Sequence, residues 1–314
     1  FYRLTSTPHP NPQDTNGNDP ASRRGGGRDG RSAQLFAALT AAHAELLDSA
    51  EHAADSRSAG PGLVVGWHRL PGERELQIVV GGRPCFPPAG EARIDVGVVP
   101  VLYPPGSLAQ ALNARRLAEQ WSELALASWV RCSGLSDPLW PSGVTGDVGR
   151  SGSAVRGGFD DYVAHLPGGF AWVVVAEPLP VDAAERELLD LEARLPRLRQ
   201  RQNSEPDRIA VLRAEARYRE LARAAASGLW NVHVLVGAET PVAARRAAGL
   251  LCSASDLDEL PYVLTPGTKV CDFETAWTTI VDGGRDRPSS PFAATAEFLA
   301  AVARPPAREL PGIR

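Results

Sequence analysis

Two short apolar runs, Leu63-Val64-Val65-Gly66-Trp67 and Leu76-Gln77-Ile78-Val79-Val80, flank a Pro71-Gly72-Glu73 turn. Strand-forming residues on both sides of a Pro-Gly turn predict a β-hairpin. Upstream, Leu35, Leu39 and Leu46 recur among many alanines, which predicts a helix from Ser32 as cap to about Asp55. Further along, Ile94 to Val101 and Trp129-Val130-Arg131-Cys132-Ser133 read as strands. Between them Pro104-Pro105-Gly106-Ser107 ends one strand, and Ser107 is placed to cap a helix through about Trp121. A Gly, Ser and Asp-rich stretch from Ser142 to Gly158 reads as a loop or boundary.

The second half has the stronger pattern. Phe159 to His165 predicts a short helix, and Phe170-Ala171-Trp172-Val173-Val174-Val175-Ala176 a strand covered on both faces. After Glu177-Pro178-Leu179-Pro180, a long helix is expected over Asp182 to Asn203, with a kink at Pro196. Leu188, Leu191, Leu195 and Leu198 repeat along it at heptad spacing. Ser204-Glu205-Pro206-Asp207 carries the chemistry of a helix start, with Ser204 for the free amides and Asp207 for the positive end of the dipole. The helix it opens runs to about Ala226, with Val211, Ala214, Tyr218, Leu221 and Ala225 at the same spacing. Two such helices around a short turn predict an antiparallel hairpin over 182–226, each arm roughly 30 Å long. Gly228 stops the arm, and Trp230, Val232, Val234 and Val236 predict a strand with one buried face. Thr240 with Pro241 begins another helix. Tyr262-Val263-Leu264 and Trp277-Thr278-Thr279-Ile280-Val281 read as strands, and Phe292 to Val302 as a last helix.

These elements place the chain in the α/β class, with α+β as its variant: a mixed sheet, flanking helices and a protruding antiparallel helical hairpin. The expected organisation is a disordered tail over 1–32, a small α/β region over 33–141, a loop or boundary over 142–158, and an α/β region over 159–314. Residues 33–141 could form a separate domain or the first half of one sheet.

Composition bounds the function. The net charge of −4 in 314 residues gives no basis for general binding to nucleic acid or anionic membranes. Lys269 is the one lysine, so the positive charge is nearly all arginine, as GC-rich coding produces. Cys85, Cys132, Cys252 and Cys271 are far apart and read as buried small hydrophobes in a reducing cytosol. There is no apolar run of about 20 residues to span a bilayer, and the chain is expected to be cytoplasmic. It contains no methionine and begins at Phe1, which predicts a piece of a longer protein.

Candidate chemistry is sparse. A phosphate loop needs Gly, four residues, then Gly-Lys-Ser/Thr, and Thr265-Pro266-Gly267-Thr268-Lys269 has neither order nor spacing. Gly25-Gly26-Gly27 follows no strand, and the Arg23–Arg28 patch reads as a linker. Asp160, Asp161 and His165 could offer metal ligands or hydrolytic groups, but Asp161 and His165 share a helix face without a third partner. His68 and His233 read as ordinary strand residues; Ser133-Gly134 and Ser151-Gly152-Ser153 lack the nucleophile-elbow pattern. Arg197, Arg199 and Arg201 near the hairpin tip read as solvated charges. No catalytic, cofactor-binding or metal residue is assigned.

From Phe159 onward the chain resembles the region preceding the motor domain in actinobacterial ATP-binding proteins of the HerA/FtsK type, relatives of the conjugation and type IV secretion ATPases. The likeness is carried, in order, by Gly169 to Pro178, Ser227-Gly228-Leu229-Trp230, Ala248 to Ala254 and Leu260-Pro261-Tyr262-Val263-Leu264. It continues through Ser290-Pro291-Phe292, Glu297 to Ala301 and Arg304 to Arg314. The resemblance implies a non-catalytic N-terminal module of a translocase-type P-loop ATPase, with the nucleotide site beyond Arg314. It implies ATP and Mg²⁺ for the parent and none for this segment, a homo-oligomer formed through the parent, and nucleic acid as a partner of the parent alone. The hairpin would dock a subunit or partner protein. The alternative is a stand-alone scaffold with a coiled-coil arm.

Overall fold

The computed structural model describes residues 1–6, 30–52, 62–83, 108–122, 125–136, 159–201, 204–255, 257, 260, 262–283, 291–303 and 310–311. In chain order the first elements are β1 (Tyr2–Ser6), α1 (Gly30–His52), β2 (Leu63–Arg69), β3 (Gln77–Gly81), β4 (Leu108–Ala111), α2 (Ala114–Gln120), β5 (Ser128–Ser136) and α3 (Phe159–His165). Then come β6 (Phe170–Pro178), α4 (Val181–Gln200), α5 (Glu205–Ser227), β7 (Leu229–Ala238) and α6 (Pro241–Ala254). The last are β8 (Tyr262–Asp272), α7 (Phe273–Asp282), β9 (Phe292–Thr295) and α8 (Ala296–Val302).

The nine described strands form one sheet in the order β4-β1-β3-β2-β6-β7-β5-β8, with β9 paired to β7. The α/β class holds, with helices flanking the sheet. Every described pairing is antiparallel, so the architecture is the α+β variant and the sheet is not mixed. Strands from the region 33–141 and from the region 159–314 interleave: β2 pairs with β6, and β5 pairs with β7. The two regions therefore share one sheet.

Period-2 alternation sends side chains to two covered faces. On β6, Phe170, Trp172 and Val174 enter the larger core, beneath α1, α3, α6 and α8. Ala171, Val173 and Val175 enter the other, beneath α2 and α7. The hairpin α4–α5 has its own seam, in which Ala184, Leu191 and Leu195 meet Ala214, Leu221 and Ala224. Leu310 is buried, and the Pro311 carbonyl accepts from the Leu76 amide at 2.7 Å, beside the β2–β3 turn.

Several expectations change. The disordered tail over 1–32 fails at its start: Tyr2 and Leu4 are buried and β1 pairs with β3 and β4. Residues 7–29 lie outside the described residues. The helix expected from Ser32 begins at Gly30. The helix expected from Ser107 is instead β4 followed by α2. Asn113 Oδ1 accepts from the Arg115 amide at 2.8 Å and is the cap. Strand β7 is buried on both faces rather than one, because helices cover both. Residues 277–281 are helical. Their β-branched run favours a strand, but the Asp272 cap at 2.8 Å and the helical spacing of Phe273, Ala276 and Ile280 prevail. The helix expected over 292–302 divides into β9 and α8, with Thr295 as cap. The strand at 94–101 and the loop at 142–158 lie outside the described residues.

Candidate functional site

The arm α4–α5 is built as its heptads require. Ser204 Oγ accepts from the Asp207 amide at 3.3 Å and starts α5. Ion pairs then flank the seam on both sides. Arg199 Nε and Nη2 donate to Glu215 at 3.0 and 2.8 Å near the tip. Nearer the base, Arg217 grips Glu187 with two bonds of 2.8 and 2.9 Å. It also lies 3.0 Å from Glu220, a carboxylate with 1% exposure. Burial disfavours the Arg217 charge, but Glu187 and Glu220 outweigh it and raise its pKa. One guanidinium thus fastens the two helices. Outward from this seam Leu189 and Leu212 are exposed, at 63% and 46%.

At the base lies a pocket of about 60 Å³, lined by Leu179, Ala184, Leu188, Leu221, Leu229 and His43, with Glu185 also on its wall. A site for a drug-sized molecule occupies about 300–1,000 Å³. This one fits the end of a single apolar side chain. His43 of α1 closes it: Nε2 donates to the Leu229 carbonyl at 3.0 Å, and the ring meets Trp230 edge-on at 5.1 Å. Burial lowers the His43 pKa, partly offset by the Leu229 and Leu179 carbonyls. Gly228 joins the arm to β7 with φ 90°, and a Cβ there would sit 2.4 Å from the His43 ring. Only glycine satisfies both the backbone angle and that approach.

The residues weighed from sequence do not converge. Asp160 is buried, whereas His165 is exposed and its Nδ1 bonds the Asp161 carbonyl at 2.7 Å. Asp161 and His165 are thus joined through the helix backbone. Among the described residues there is no group of three or more His, Cys, Asp or Glu placed to hold a metal ion. Gly134 is packed against Phe292, and the Ser133 carbonyl accepts from Thr265. Ser151 to Ser153, Cys85 and the Arg23–Arg28 patch lie outside the described residues. Arg197 and Arg201 are exposed at the tip with Arg199. Cys132 and Cys252 are buried and hydrogen-bond each other, which raises the Cys132 pKa well above its ordinary value.

Two histidines depart from the ordinary strand reading. His68 has no exposed surface, and neither ring nitrogen has a hydrogen-bond partner. It lies edge-on to Trp121, and burial, helped by Arg3, pushes its pKa down to about 3. His233 is 6% exposed, and burial, then Arg131, brings it to about 4. The sequence reading missed His43 because its partner is 186 residues away. Gly228 was legible as a helix stop but not as a joint.

Among the described residues no helix is long and apolar enough to cross a membrane. No protein-family model matches the chain, and comparison with curated proteins gives no match.

Proposed function

We propose that this chain is a non-catalytic docking module of a translocase-type ATPase of the HerA/FtsK kind, whose nucleotide site belongs to another part of the parent protein. The resemblance from Phe159 onward supplies the family. The observation that carries docking is the arm: it packs along its own seam, keeps Leu189 and Leu212 on the outside, and has a side-chain-sized notch at its base. An arm of this kind presents a helical surface to a protein partner. The Arg217–Glu187–Glu220 network keeps the two helices in register, so the surface is preformed rather than ordered on contact. A neighbouring parent subunit is the expected occupant.

The test is photo-crosslinking in the parent protein with a crosslinking amino acid at Leu189 or Leu212. The expected result is a discrete product joining two subunits, lost when α4–α5 is replaced by a short Gly-Ser linker. ATP hydrolysis by this chain alone, or unchanged parent assembly without the arm, overturns the reading.

A further inference from the structure

Arg131 lies on β5 opposite Leu235 of β7, and His233 precedes Leu235 by two residues on the same strand. The two side chains therefore occupy diagonal positions on one face of the sheet, with backbones about 7 Å apart. They stand on the face that α7 covers, since Leu235 packs there with Phe273, Ala276 and Ile280. We propose that Arg131 and His233 form a binding site for a small oxyanion of the phosphate class.

The charge balance at Arg131 leads to this assignment. Its guanidinium donates to Thr279 Oγ1 at 3.1 Å and bonds the Cys271 thiol. Thr279 Oγ1 in turn donates to the Thr275 carbonyl at 3.1 Å, so its proton is committed and it accepts from Arg131. Thr279 is thus a positioning residue. Of the five N–H donors of a guanidinium, three remain after these two bonds, enough for a two-bond contact with an oxyanion. Arg131 makes no ion pair with a carboxylate among the described residues. The nearby helix end offers only about half a negative charge. A half-buried guanidinium thus keeps donors to spare.

His233 completes the pair. It is 6% exposed, and Arg131 is the charged group that acts on it. At neutral pH it is uncharged and keeps one N–H to donate. Glu177, on the neighbouring strand, accepts from the Gly62 amide and, at 3.1 Å, from Arg83. A cation with spare donors and a neutral imidazole on one face of the sheet match an anion bearing several acceptor oxygens.

The experiment is a titration of the full chain with inorganic phosphate, followed through the His233 imidazole nitrogens by NMR and through heat by calorimetry. Sodium chloride at equal ionic strength and sodium acetate are the comparison arms. Saturable movement of the His233 signals with phosphate is expected, with weaker binding of acetate. Arg131→Gln should lower the phosphate affinity by at least about ten-fold, and Arg131→Lys by less. His233→Gln, which retains a donor, should weaken binding by less than Arg131→Gln. The proposal is overturned if chloride moves His233 as phosphate does, if acetate binds more tightly, or if Arg131→Gln binds phosphate as the parent chain does. Should Arg131→Gln fail to fold, the phosphate, acetate and chloride arms on the unaltered chain still decide.

Discussion

Strand β6 and helix α4 follow one another in the chain but are held by different physics. Trp172, Val173 and Val174 at the sheet centre are almost wholly excluded from solvent on both faces. Among the described side chains of α4, only Ala184, Leu191 and Leu195 are buried, and most of the others are charged or partly exposed. Burial of apolar area dominates the first, at about 25 cal/mol per Å². A narrow seam with flanking Arg–Glu pairs supports the second. The comparison teaches where change is tolerated: the sheet is fixed by its two cores, and the arm keeps a surface that can be rewritten without dissolving them.

The largest expected effect comes from the sheet. Trp172→Ala removes a ring packed against Phe159 and a bond from Nε1 to the Val302 carbonyl. It should cost about 3–5 kcal/mol in urea unfolding. Acid should act next, again through the sheet. His68 stays neutral in the fold down to about pH 3, whereas the unfolded chain takes up protons below about pH 6.5. Stability should therefore be level above pH 6.5 and fall as the pH drops, by on the order of 3 kcal/mol at pH 4. His233, held near 4, adds to the same slope. His68→Phe should reduce the slope between pH 6.5 and 3 to the part that His233 leaves; an unchanged slope would place the acid sensitivity elsewhere.

Effects in the arm should be smaller. Leu191→Ala, in the seam, should cost about 2 kcal/mol. Hydrogen exchange should then rise in α4 and α5 while β6 and β7 stay protected. Ser204→Ala, which removes the α5 cap, should cost about 1 kcal/mol. Arg199→Ala breaks a solvent-exposed pair and should cost less than about 0.5 kcal/mol. If Leu191→Ala loosened the sheet as much as Trp172→Ala, the contrast between the two regions would collapse.

What was legible in the sequence follows this division. The caps at Ser204 and Thr240 could be read because donor and acceptor lie three residues apart. The arm could be read because its heptads are local. Strand β1 could not, because its pairing with β3 and β4 joins segments about 75 and 105 residues away. Thr278 to Val281 misled because β-branched residues favour strands, while the helix is decided by a cap and a packing face. The Arg131–His233 neighbourhood depends on strand order, which composition and motif spacing do not encode. His43 and Gly228 likewise meet only once α1 and β7 are in place.

The bond between the Leu76 amide and the Pro311 carbonyl has a mechanical meaning. It fastens the segment Leu310–Pro311 to the loop between β2 and β3, and β2 lies directly against β6. A pull applied at Pro311 would load this stitch first, with buried Leu310 as its anchor. Tension would pass across the ladder from β2 to β6 and reach the arm through the strands at its root. The fold thus gives a continuous hydrogen-bonded link between Pro311 and the root of the arm.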